Sequence, residues 1–187
     1  MAASGWAAIV EEGKVGTSKV AWDEHLVRCL DVSFAKANWE DRPSGGPFSL
    51  VHGDAHAHNA LWCPNETRLR LIDFEMVGVG SPGQELGQYV ISHMTPAVRR
   101  ECESSLVDVY HTTLTEELRK LGKEAEADVY TRDVCWNEYV AGGAGRWAWF
   151  IPLFRANAPM CQYFADQLSA FLKDHVKNPE DMPMPRV

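Results

Sequence analysis

No two of the five cysteines form a Cys-x-x-Cys pair; Cys29, Cys63, Cys102, Cys135 and Cys161 are scattered along the chain. That argues against a zinc knuckle or a disulfide framework and points to a reducing, cytoplasmic compartment in which all five are buried small hydrophobes. Also missing is any uninterrupted apolar run near the roughly 20 residues of a membrane span. The first ten residues carry no positive leader region and Glu11-Glu12 follow at once, so neither a signal peptide nor a membrane partner is expected. Positive charge is not in excess: 18 Lys and Arg stand against 26 Asp and Glu, for a net charge of −8. Such a balance makes nucleic acid an unexpected partner and is compatible with a cationic substrate. There is no internal repeat and no low-complexity segment.

What is present is an ordinary globular composition, 45% hydrophobic and 24% charged over 187 residues, enough for one domain with a core. Residues 1–16 are small and weakly patterned and read as a disordered leader. Val20, Val27, Leu30, Phe34 and Ala37 recur at helical spacing, with Thr17 or Ser18 as cap, and residues 40–47 end that helix as a loop. Residues 48–51, 60–63 and 68–72 read as short strands, the last two forming a hairpin around Pro64-Asn65-Glu66. In the third, Leu69 and Leu71 alternate with Arg68 and Arg70, which predicts one buried face. Helices follow. The first places Leu86, Tyr89, Val90 and His93 on one face. The second opens at Thr95-Pro96 and runs to Gly122, with Val98, Cys102, Leu106, Val109 or Tyr110, Leu114, Leu118 and Leu121 as its stripe. The third covers about 125–140, and the glycines of 142–145 either let backbones approach or break it. The last opens at Pro159, with Met160, Phe164, Leu168, Phe171 and Leu172 inward. Trp147, Trp149 and Phe150 read as packing residues. Residues 178–187 read as a flexible tail.

Two polar clusters interrupt this pattern. His52-Gly53-Asp54-Ala55-His56-Ala57-His58-Asn59 lies between apolar strands, and Asp73-Phe74-Glu75 follows the hairpin, leading into the glycine-rich run 78–83. Phosphoryl transfer needs a group that accepts a hydroxyl proton and oxygen ligands that hold Mg²⁺ against phosphate; Asp54, Asn59 and Asp73 are of those types at a workable spacing. The same loop also spells His-x-Asp-x-His-x-His, so a zinc hydrolase using His52, Asp54, His56 and His58 is the lesser alternative. His56 and Glu75 are candidates for supporting positions.

His52-Gly53-Asp54 with Asn59, followed by Ile72-Asp73-Phe74-Glu75, resembles the signature of the aminoglycoside phosphotransferase and choline kinase-like family. The resemblance implies an α+β fold: a protein-kinase-like C-terminal lobe, mainly helical, with a short β-hairpin carrying the catalytic and metal-binding loops, over residues 17–177. It implies an ATP- and Mg²⁺-dependent kinase acting on a small-molecule hydroxyl. Asp54 would be the catalytic base, His52 would brace the loop, and Asn59 and Asp73 would hold Mg²⁺. The segment 80–86 resembles the family's following Gly-Asp-Pro…Asp-Leu stretch, with Glu85 standing where Asp is usual and supporting the catalytic loop.

The family's N-terminal lobe, with its glycine-rich loop and strand lysine, has no counterpart among the 51 residues before His52; Lys14 and Lys19 lie in no such context. The chain therefore reads as a C-terminal lobe alone. Two expectations follow besides kinase activity: a non-catalytic binding module, and an exposed apolar face at the docking position of the missing lobe, open to self-association or a partner.

Overall fold

The computed structural model describes residues 1–37 and 48–185. It is mainly helical with two small two-stranded sheets, an α+β arrangement. The loop expected at 40–47 lies outside the described residues. No described helix is long and apolar enough to cross a membrane. The chain divides into two compact units.

The first unit comprises the described residues of Met1–Arg42 and Ala144–Val187. Its start corrects the expectation of a disordered leader: α1 spans Ala2–Lys14, with Ala2, Trp6 and Ile9 buried. The Trp6 indole donates to Asp31 Oδ1 at 3.0 Å and its ring stacks on Phe34. Only three spaced residues carry this face, so periodicity among alanines and glycines is faint while the contact it makes is large. Helix α2, Glu24–Lys36, starts later than expected because Asp23 caps it, accepting the Leu26 N–H. Helix α7, Ala158–His175, starts with Asn157 as cap and Pro159 in its first turn. It buries Leu168, Phe171 and Leu172 as expected, whereas Met160 points outward. Trp147 is buried and packs on Phe164, its ring centroid 4.3 Å away. The tail is also not free: Pro179–Asp181 forms a 3-10 turn, Met182 is fully buried and the Ser33 hydroxyl donates to Pro183 O at 2.5 Å. Burial pushes the Cys29 and Cys161 thiols up to about 11, so both behave as small apolar groups.

The second unit comprises the described residues of Pro43–Gly143. Strand β1 (Ser49–Val51) pairs antiparallel with β4 (Gly78–Gly80), which the glycine-rich run had hidden; β2 (Ala60–Cys63) pairs antiparallel with β3 (Arg68–Leu71). In that hairpin Trp62 opposes Leu69 and Ala60 opposes Leu71, so one face is apolar, but Leu69 and Leu71 are exposed, as is Trp62. The expectation of a buried strand face is corrected: the alternation is real and nothing described covers it.

Helices α3 (Gln84–His93), α4 (Pro96–Lys120), α5 (Glu124–Val129) and α6 (Arg132–Phe150, up to Gly143 in this unit) complete it. The expected third helix is thus two, and the 142–143 glycines lie inside α6. They serve close approach: a Cβ on Gly87 of α3 would lie 2.6 Å from Gly143 Cα and 2.7 Å from Tyr139 O, and one on Gly142 would lie 2.6 Å from Gln84 Cα. This contact sets the buried face of α3, which is Gly87, Val90 and Ile91 with Gln84 and Gln88; Leu86 and Tyr89 are only half-buried and His93 is exposed.

Helix α4 has the expected Thr95 cap and ends by Gly122 at φ +69°. Its buried face is not the aliphatic stripe but Arg99, Glu103, Val107 and Thr115; Val98, Val109 and Leu121 are exposed. Arg99 pairs with Glu103 at 2.7 Å and the Tyr139 hydroxyl donates to Glu103 Oε2 at 2.9 Å, so the ion pair is satisfied where it is buried.

Adding one methyl at Gly87 forces two backbones apart. Gly87→Ala is expected to destabilise the fold by about 1–3 kcal/mol. Gly13→Ala in α1, where a Cβ meets nothing within 4 Å, is expected to be neutral or stabilising by up to about 1 kcal/mol. Urea unfolding midpoints check both; equal effects would refute the close-packing assignment.

Candidate functional site

All the candidate site residues belong to the second unit. Strand β1 delivers the chain to His52, which is 5% exposed. Its Nε2 lies 2.7 Å from Ile72 O, and its Nδ1 accepts the Asp54 backbone N–H at 3.3 Å. A neutral imidazole that accepts at Nδ1 holds its proton at Nε2, so His52 donates to the Ile72 carbonyl. Gly53 takes φ +85°, and a Cβ there would sit 2.0 Å from Met76 O, so only glycine fits. The Gly53 N–H donates to Glu85 Oε1 at 2.8 Å; the glutamate's extra methylene does not keep it from the loop.

Beyond Asp54, the 3-10 turn Ala57–Asn59 carries Asn59 inward to 6% exposure. Asn59 Nδ2 donates to Asp54 O at 3.1 Å and to Asp54 Oδ2 at 3.3 Å. With its amide nitrogen engaged, the oxygen is the donor atom Asn59 has left to offer. Asn59 O in turn accepts the Ile72 N–H at 3.0 Å. Both the N–H and the C=O of Ile72 are therefore tied to the first cluster, and the next residue is Asp73.

Asp73 sits at φ +62°, the left-handed region, which costs about 1–3 kcal/mol for a non-glycine residue and which Asp tolerates better than most. Its carboxylate is exposed and accepts no hydrogen bond among the described residues. The Phe74 ring packs 4.5 Å from the His52 ring. Glu75 is exposed and makes no hydrogen bond or ion pair among the described residues, so no supporting contact of Glu75 is seen.

The His-x-Asp-x-His-x-His metal set is not formed. Among the described residues no three His, Cys, Asp or Glu side chains gather to hold a metal. The physical reason is that the ring nitrogens are already engaged: both of His52, as above, and both of His56, whose Nδ1 accepts the His58 N–H at 3.2 Å and whose Nε2 lies 3.3 Å from Asp54 Oδ2. Among the described residues, what remains open is Oδ1 of Asp54, the carboxylates of Asp73 and Glu75, and the amide oxygen of Asn59. Hard oxygen donors in that small number suit Mg²⁺, which keeps most of its shell as water and phosphate.

One contributor was missed by sequence reasoning. His93, at the end of α3, accepts the Ala57 N–H through Nε2 at 3.2 Å and stacks between Tyr89, at 5.0 Å, and His56, at 6.2 Å. Its i, i+4 spacing from Tyr89 was the available signal, and it had been read as a packing face. Desolvation of this stacked ring, then repulsion from His56, holds His93 below the usual histidine range.

A family described as "Uncharacterized oxidoreductase dhs-27" (DUF1679) matches residues 45–142, just over half the chain and the whole of both polar clusters. The chain is also similar to the methylthioribose kinase of Bacillus cereus (strain G9842), 31% identical over 93 residues, and to that of Bacillus mycoides (strain KBAB4), 30% identical over 93 residues. Each match covers 47% of this chain and 23% of the relative, so the chain spans about a quarter of the curated proteins it matches. No solved structure matches.

The oxidoreductase description can be tested on the glycine-rich run, since residues 78–83 spell Gly-x-Gly-x-x-Gly between β4 and α3. A dinucleotide fingerprint needs a parallel βαβ unit and open space above its glycines. Here β4 pairs only with antiparallel β1 among the described residues. The space over Gly80 is filled by Val51 Cγ2 at 2.9 Å, and that over Gly83 by the Tyr139 nitrogen at 2.5 Å. The glycines accommodate the protein's own packing and leave no cradle for a pyrophosphate.

A histidine whose folded value is lowered resists protonation that the unfolded chain accepts. His93 thus adds stability that is full above its ordinary value near 6.5 and is lost as pH falls through the folded value. Unfolding midpoints measured from pH 7.5 down to 5.5 are expected to fall more steeply for the wild type than for His93→Gln. Parallel slopes would show that His93 carries no such linkage.

Proposed function

The chain belongs to the DUF1679 family, and from that premise, joined to its partial likeness to kinases, we propose that it is the catalytic lobe of an ATP- and Mg²⁺-dependent phosphotransferase acting on a small-molecule hydroxyl, of the aminoglycoside phosphotransferase and choline kinase-like class. The observation that carries this reading is the double tie at Ile72, which links Asp73 to the loop of Asp54 and Asn59. Such chemistry requires little covalent participation by the protein and depends on placement and charge neutralisation.

In this reading Asp54 accepts the hydroxyl proton. The substrate oxygen then forms its bond to the terminal phosphorus of ATP as the bond to the leaving diphosphate breaks, and the proton passes from Asp54 to water. Asn59 and Asp73 would hold Mg²⁺, which supplies charge neutralisation at the phosphates. His52 and Glu85 hold the loop from either side, on Ile72 O and Gly53 N. The net charge of −8 favours a cationic alcohol.

Thermal unfolding of the intact chain with Mg·ATP tests the reading. At about 100 times the dissociation constant the ligand stabilises by about 2.7 kcal/mol, an upward shift of several degrees that Asp73→Asn is expected to abolish. Transfer to an alcohol panel is expected to fall at least about 100-fold in Asp54→Asn. No Mg²⁺-dependent nucleotide response would count decisively against it.

A second reading, a binding module without turnover, draws on a separate observation. Leu50 and Val79, a cross-strand pair, are 77% and 71% exposed, and Trp62, Leu69 and Leu71 are exposed on one face of the hairpin. A partner covers these apolar residues in this reading, whether a nucleotide-covering lobe or a second copy. It predicts concentration-dependent association by light scattering, reduced by Trp62→Lys with Leu69→Lys. A monodisperse monomer that binds no hydrophobic dye would refute it.

A further inference from the structure

The two oxygens of the Asp54 carboxylate are not equivalent. Oδ2 receives Asn59 Nδ2 at 3.3 Å and lies 3.3 Å from His56 Nε2. Oδ1 has no hydrogen-bond partner among the described residues. The His56 ring is itself oriented by other contacts: its Nδ1 accepts the His58 N–H at 3.2 Å, and its face stacks on His93 with 17° between planes. His93 in turn holds the Ala57 N–H and stacks on Tyr89. Since Nδ1 is an acceptor, the neutral His56 ring carries its proton on Nε2, which lies 3.3 Å from Asp54 Oδ2, within ion-pair distance and short of hydrogen-bond alignment.

We propose that His56 is a positioning residue that clamps Oδ2 of Asp54 together with Asn59, so that Oδ1 is the oxygen that takes the substrate's proton. The proposal deepens the kinase reading and rests on Asp54 being the base. The physical argument concerns orientation and basicity together. The terminal torsion of an aspartate is broad and does not by itself fix which oxygen faces a substrate. The Asn59 N–H already holds Oδ2, and a small turn of the nearby His56 ring would add a second N–H to the same oxygen; together they stop that rotation and stabilise negative charge there, leaving the lone pairs of the other oxygen as the more available base. In the transfer step the substrate's O–H bond breaks, its proton bonds to Oδ1 and its oxygen bonds to phosphorus as the diphosphate leaves. The donors on Oδ2 stay in place throughout. His56 touches Asp54 rather than the reacting atoms, which distinguishes it from the zinc ligand its sequence context first invites.

The test has one arm that needs no turnover. A long-range ¹H–¹⁵N spectrum of the intact chain at neutral pH, with the His56 signal identified by its loss in His56→Gln, is expected to show the Nε2–H tautomer. Asp54→Asn is expected to move that signal. An Nδ1–H tautomer, or a signal indifferent to Asp54→Asn, overturns the clamp whether or not the chain transfers phosphate. In the second arm, on the transfer reaction, His56→Ala is expected to lower kcat by roughly tenfold with KM within about twofold, and His56→Gln, which keeps an N–H donor, to recover most of it. A change confined to KM, or equal losses in both variants, would overturn it. Absence of transfer by the wild-type chain with the tautomer as expected would fail the kinase reading and leave the clamp standing.

Discussion

The backbone of Ile72 is the constraint on which the site depends. Its N–H is held by Asn59 O and its carbonyl by the His52 ring, so the chain leaving β3 cannot shift relative to the loop leaving β1 without losing both bonds. These bonds are partly buried, where a lost partner costs roughly 1–3 kcal/mol rather than the smaller net value of an exposed hydrogen bond. Through them the strain at Asp73 is supported. A left-handed aspartate persists only where its neighbours over-determine it, and here they are Ile72, tied on both sides, and Phe74, packed on His52.

A second layer holds the first. Gly53 can reach Glu85 only because it adopts a conformation closed to other residues, and Glu85 stands at the start of α3, whose position is fixed by glycine contacts with α6. His93, at the other end of α3, reaches the same loop at Ala57. One helix therefore grips the loop at two points: Glu85 in its first turn holds Gly53 and His93 in its last holds Ala57. Two of the histidines that looked like metal ligands are part of this support: His52 holds the Ile72 carbonyl and the Asp54 N–H, and His56 holds the His58 N–H.

The exposed apolar strands show the other side of the same economy. The hairpin residues Trp62, Leu69 and Leu71 follow the alternation of a strand with a covered face, and the face lies open among the described residues. A pattern in sequence records what a strand is suited to pack against, and whether something is there is a separate fact. The span of the relatives, about four times the matched length, gives that open face its interest.

Much of the local structure around the candidate site was legible in the sequence alone. The polar clusters that carry Asp54, Asn59 and Asp73, the hairpin between them, the Thr95 cap and Pro159 in the first turn of α7 are all local: residue type and short spacing determine them, because turns, caps and strand alternation depend on neighbours a few positions away. Three things were decided by tertiary packing alone. Residues 2–14 became a helix because Trp6 found Asp31 and Phe34, contacts 25 and 28 positions along the chain. Helix α4 turned a polar face inward because Tyr139 and Arg99 satisfy Glu103 there. And the His56 ring was held on the His58 N–H, beside the His93 ring and 3.3 Å from Asp54, rather than gathered into a metal site, an outcome that depends on distances no one-dimensional spacing contains.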